Sequence, residues 1–145
     1  MFKSLFILCL CPFVLLAQVQ TLPLTDLSAF KKTESNWKIV GKVAGNYTSA
    51  SLQSEAGTGI LLNQPAAPKT YGDKYELYSQ FEHGDISLSL DFMLPKGANS
   101  GIYLQSRYEI QLFDSWGVKY PKAHDCGSIY ERWDESRPKH QNEEL

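Results

Sequence analysis

Asn99-Ser-Gly-Ile-Tyr-Leu-Gln-Ser-Arg-Tyr-Glu-Ile-Gln-Leu-Phe-Asp114 is the stretch that decides the fold. It holds two alternating runs, and alternation at period two is the signature of a strand with unlike faces. Pairing that sets Ile102 against Ile110 and Leu104 against Tyr108 gathers Ile102, Leu104, Tyr108, Ile110 and Leu112 on one face. Tyr103, Glu109, Gln111 and Phe113 then occupy the other. A slip of one residue would place Glu109 and Gln111 among the aliphatic side chains, burying a charge, so the pattern selects one register. That register leaves an odd loop of Gln105, Ser106 and Arg107.

The rest of the chain extends this β reading. Ile86 to Leu94 alternates strictly, with Ile86, Leu88, Leu90, Phe92 and Leu94 opposed to Ser87, Ser89, Asp91 and Met93, and is expected to be a strand. Pro95-Lys-Gly-Ala-Asn99 supplies the turn that follows. Weaker strand candidates are Trp37 to Val43, Gly59 to Leu62 and Tyr75 to Phe81, and Leu24 to Lys31 is the one faint helical pattern. Antiparallel strands joined by turns indicate an all-β two-sheet sandwich or jelly roll.

With 145 residues the chain has room for one domain. Residues 1–17 combine Lys3, the apolar run Leu5 to Leu16 broken by Pro12, and a small Ala17, the make-up of a secretory signal peptide. The run is shorter than the ~20 residues needed to span a bilayer. Cleavage there removes Cys9 and Cys11 and leaves a domain over residues 18–145 with Cys126 as its one cysteine, hence without an intrachain disulfide. It also leaves 13 basic and 16 acidic residues, a net charge of −3. A mildly acidic surface with no basic stripe argues against nucleic acid and against anionic membranes as partners. Asn46-Tyr-Thr48 fits a glycosylation sequon.

Glu109 and Gln111, two apart on a strand, project from one face with roughly 7 Å between their origins, from a rise of ~3.3 Å per residue. A carboxylate beside an amide can act as general base and positioner, although a solvated strand face carries the same residues. Asp114 ends the strand, where a carboxylate also caps turns. Tyr103, Phe113, Trp116, Tyr130 and Trp133 make this half rich in the rings that stack on sugars, set against the alternative that two or three are core, Tyr130 first among them. His124, Asp125, Cys126 and His140 match no zinc spacing.

Leu94-Pro-Lys-Gly-Ala-Asn-Ser-Gly-Ile-Tyr-Leu104, Arg107-Tyr-Glu-Ile-Gln-Leu-Phe-Asp-Ser115 and Cys126-Gly-Ser-Ile-Tyr130 together resemble the 3-keto-disaccharide hydrolase family, found in secreted bacterial proteins. The resemblance runs from about Leu24 to the C-terminus. It implies a concanavalin A-like lectin/glucanase jelly-roll sandwich with a carbohydrate on its concave face. Family members continue past a segment like Arg132 to Pro138 into further strands, so the sandwich is expected to be incomplete. The implied activity is cleavage of 3-keto-glycosides by elimination then hydration, with Glu109 as base and Gln111 and Arg107 as positioner and enolate stabiliser. Tyr103, Phe113, Trp116 and Tyr130 are the implied sugar contacts. A divalent metal held by Asp114 and His124 could take the cationic role. A secreted or periplasmic location and an upstream sugar 3-oxidoreductase complete the expectation. A non-catalytic carbohydrate-binding module and an inactive truncated fragment are the alternatives.

Overall fold

The computed structural model describes residues 19–31, 36–65 and 75–130. The segment read as a signal peptide, and the polar C-terminal stretch with Trp133 and His140, lie outside the described residues.

Among the described residues four strands form two antiparallel hairpins: β1 (Trp37–Gly45) with β2 (Leu52–Asn63), and β3 (Asn99–Leu104) with β4 (Tyr108–Phe113). The fold is all-β, as the alternation requires. In the first hairpin the register jumps between Val40↔Ile60 and Lys42↔Glu55. Gly41 and Gly57 meet at this bulge, where a Cβ on Gly41 would stand 2.8 Å from the Gly57 Cα. Only a pair of glycines lets two backbones approach so closely. Val40 and Leu62, both close to the bulge, are the buried hydrophobic residues among those described.

The second hairpin has the register required by its hydrophobic pattern, Ile102↔Ile110, Tyr103↔Glu109 and Leu104↔Tyr108. Its turn closes through the Arg107 N–H donating to the Leu104 carbonyl at 3.0 Å. Gln105 and Ser106 both take left-handed conformations there, with φ of 53° and 54°. An L side chain in that region is strained, and glycine is not. Ser106→Gly is therefore expected to stabilise the protein by about 0.5–1 kcal/mol, read as a rise in the urea midpoint at constant m.

Residues Gly127 to Tyr130 add a third row to this hairpin. Gln111 N–H donates to the Ser128 carbonyl at 2.9 Å, Gly127 N–H to the Gln111 carbonyl at 2.8 Å, and Tyr130 N–H to the Glu109 carbonyl at 2.8 Å. The preceding turn holds itself together: the Asp125 Oδ2 accepts from Lys122 N–H at 2.7 Å and the Ser115 Oγ from Cys126 N–H at 2.9 Å. The Lys122 amide is the main reason that the Asp125 carboxyl lies below the usual carboxylate range. Asp125-Cys-Gly-Ser-Ile-Tyr130 thus builds a wall beside β4.

Three expectations are corrected. Ile86 to Leu94 forms no ladder among the described residues, and Ile86, Leu88, Leu90 and Phe92 stay 42–54 % exposed. Alternation specifies a segment with two faces, but a strand also needs a neighbouring edge to receive its N–H and C=O groups. Tyr75 to Phe81 contributes only a bridge, Phe30↔Ser79, and Leu24 to Lys31 is a series of turns rather than a helix. The turns have a job: Lys31 N–H donates to the Tyr78 carbonyl at 2.8 Å and Gln80 N–H to the Ala29 carbonyl at 2.9 Å, which fixes where Glu76 and Tyr78 stand.

Candidate active site

An open cavity of about 890 Å³ lies across the Tyr103–Glu109 face of the second hairpin. Glu109, Gln111, Tyr103 and Tyr130 line it, together with Glu76, Tyr78 and the apolar Ile86, Leu88 and Leu90. Period two brings Glu109 and Gln111 to the same face, and the cross-strand register sets Tyr103 directly opposite Glu109. The Tyr103 hydroxyl donates to Glu109 Oε2 at 2.7 Å.

Gly101 makes room for the carboxylate. A Cβ at this position would overlap Glu109 Oε1 and stand 2.6 Å from its Cγ and 2.7 Å from its Cδ. The Glu109 side chain thus rests on bare backbone on one side and is held by a phenol on the other. Gln111 is 3 % exposed, and its Oε1 is buried with no hydrogen-bond partner among the described residues. An unsatisfied buried acceptor costs stability unless a water or a ligand brings it a donor.

The Tyr103 phenol is pushed up to about 12, first by its hydrogen bond to Glu109, then by burial and by the charges of Glu109 and Glu76. Ionising it would set a phenolate against a carboxylate. Since the folded value is above the ordinary 10, the stabilisation is whole below pH 10 and is lost as pH rises through 12. An ultraviolet titration is expected to show one tyrosine ionising near 12, and Glu109→Gln should return it towards 10.

The other expected site residues lie elsewhere. Arg107 sits exposed in the hairpin turn and is not part of the cavity lining, and neither are Phe113 and Trp116, the latter 88 % exposed on its loop. Tyr130, the first core candidate among the rings, is half-exposed at the cavity instead. Asp114 has backbone partners of its own. The two Asp114 oxygens accept from Gly97 N–H at 2.8 Å and Trp116 N–H at 3.3 Å, the Gly97 bond being the main cause of its lowered pKa. No group of three or more His, Cys, Asp or Glu that could hold a metal ion occurs among the described residues. Asp114 is a turn cap, the bland alternative that its place at a strand end allowed.

Sequence reasoning missed Glu76 and Tyr78. The Tyr78 hydroxyl donates to Glu76 Oε2 at 2.6 Å, a second phenol–carboxylate pair in the same cavity. Their two-residue spacing is that of Glu109 and Gln111, so the signal was present; what it lacked was any sign of which face they share.

Residues 25–144 match the model of the 3-keto-alpha-glucoside-1,2-lyase-like domain. The chain belongs to this family. The match covers all four strands and every cavity-lining residue named above. No curated protein and no solved structure matches the chain. Membership in the 3-keto-alpha-glucoside-1,2-lyase-like family implies a carbohydrate substrate, and the family name implies lyase or hydrolase chemistry on 3-keto-glycosides.

Proposed function

We propose that this chain is a carbohydrate-active enzyme that cleaves 3-keto-glycosides by elimination across C1–C2 and then hydration, with Glu109 as the general base. The observation that carries this reading is the Glu109 carboxylate on a cavity wall, seated over Gly101 and hydrogen-bonded by Tyr103, inside a chain of this family.

The chemistry follows from the ketone. A carbonyl at C3 acidifies the C2 proton, because the electron pair left behind delocalises onto the C3 oxygen as an enolate. Glu109 takes that proton; the pair then forms the C1=C2 bond as the C1–O1 bond breaks and the aglycone leaves with a proton. Water adds across the enone, hydroxyl to C1 and hydrogen to C2, so the sum is hydrolysis of the glycosidic bond. Gln111 and Tyr130 flank the base and are suited to orient the ring, one by its amide and one by its aromatic face. No step is routed through Arg107, which is not among the residues that line the cavity.

The same proposal includes export directed by residues 1–17 to a secreted or periplasmic location, and a sugar 3-oxidoreductase upstream that makes the keto-sugar. The test is incubation of the purified chain with 3-keto-trehalose and 3-keto-sucrose, with and without added divalent metal. Release of the free sugar with a transient enone absorbance is expected, and its absence from a cooperatively folded sample would overturn the reading. A second reading, sugar binding without turnover, draws on the 88 % exposed Trp116 ring; it requires tight sugar binding that Trp116→Ala abolishes and Glu109→Gln leaves intact.

A further inference from the structure

Sequence reasoning placed Tyr103 among the rings that contact the sugar, but its hydroxyl is already committed. It donates to Glu109 Oε2 at 2.7 Å, from the residue directly across the ladder, while Glu109 Oε1 rests against Gly101, where a side chain would displace it. A carboxylate on a strand face is otherwise free to swing about three side-chain torsions. Here one oxygen is tied to a phenol and the other is set over Gly101, so the hydrogen bond selects both the rotamer and the oxygen left to take a proton.

We propose that Tyr103 is a positioning residue for the base, fixing Glu109 in its ionised, reactive orientation instead of serving as a sugar contact. This rests on the 3-keto-glycoside reading above. The phenol is 54 % exposed and lies at the cavity surface, so nothing but the carboxylate anchors it among the described residues. The upward displacement of its ionisation is the other side of the same bond: the phenol stays protonated, and so remains a donor, throughout the range in which a carboxylate base works. A donor to a carboxylate favours the charged form, which is the form that removes the C2 proton. The remaining titratable groups at the cavity among the described residues are Lys31, Tyr75, Glu76, Tyr78, Glu82, His83 and Tyr130, of which Glu76 and Tyr130 act on the Tyr103 phenol by charge.

The experiment is Tyr103→Phe assayed on 3-keto-trehalose across pH, beside the wild-type chain. Loss of about 10-fold or more in kcat with KM within twofold is expected, since misplacing a reacting group costs rate rather than affinity. The acidic limb of the kcat/KM profile should also move up, because the charged base has lost its donor. A merely structural role would move neither the limb nor the ratio of kcat to KM. A raised KM with an unmoved limb would show a sugar contact and overturn the inference while leaving the base assignment in place. An inactive wild-type chain removes the functional reading and this inference with it. Incorporation of 3-fluorotyrosine at 103 keeps the size and the hydroxyl but makes a stronger donor; there the limb should move down, and a shift upward or none sinks the proposal even if Tyr103→Phe folds poorly.

Discussion

Glu109→Gln is expected to reduce kcat on a 3-keto-glycoside by about 10²–10⁴-fold, the usual contribution of a positioned general base. Glutamine has the same shape and keeps an oxygen that can accept the Tyr103 hydroxyl, so the hairpin and its register should survive. What disappears is the lone proton acceptor at the base position; an amide does not take a proton from carbon at neutral pH. Two measurements separate chemistry from binding. Steady-state kinetics should show the loss in kcat, and exchange of the C2 hydrogen with solvent deuterium, followed by NMR, should stop with it. A variant that still exchanges C2–H at the wild-type rate would remove Glu109 from the role, whatever its effect on overall turnover.

Gly101→Ala is expected to be nearly as damaging, because the added methyl displaces the base. Its Cβ would overlap Glu109 Oε1 and press within 2.6 Å of Cγ and 2.7 Å of Cδ. The carboxylate must swing off its seat, and a displacement of the order of 1 Å at a reacting group can cost about 10²-fold in rate. The same swing lengthens or breaks the hydrogen bond from Tyr103, so the phenol should titrate back towards its ordinary value of 10. The backbone at 101 has no positive φ, so alanine is tolerated by the strand itself. A large loss of kcat with a thermal transition within a few degrees of wild type is therefore the expected pair of results. Unchanged kinetics would show that Glu109 does not react from the orientation in which it rests over Gly101.

The hairpin that carries this site was legible because its information is local. Alternation in residues 99 to 113 fixed the two faces, and the cost of burying Glu109 fixed the register to Ile102↔Ile110 and the three-residue turn. The same reasoning put Tyr103, Glu109 and Gln111 together. It failed at Ile86 to Leu94, where the alternation is more regular still, because no feature of a segment reports whether another edge will meet it. It was also silent on Gly101, whose importance lies wholly in what leans over it.

By itself, then, the sequence determined the all-β class, the second hairpin with its register and turn, and the polar face holding Glu109 and Gln111. Tertiary structure alone decided that Arg107, Asp114, Trp116 and His124 stand away from the cavity, that Tyr130 joins it through the row beside β4, and that Glu76 and Tyr78 enter it from a distant segment. The difference is one of range. Period two and the cost of burying a charge act between neighbours in one strand or across one tight turn, so the chain displays them. The meeting of a loop with a strand edge depends on contacts many residues apart, whose partners carry no mark of each other until they are folded together.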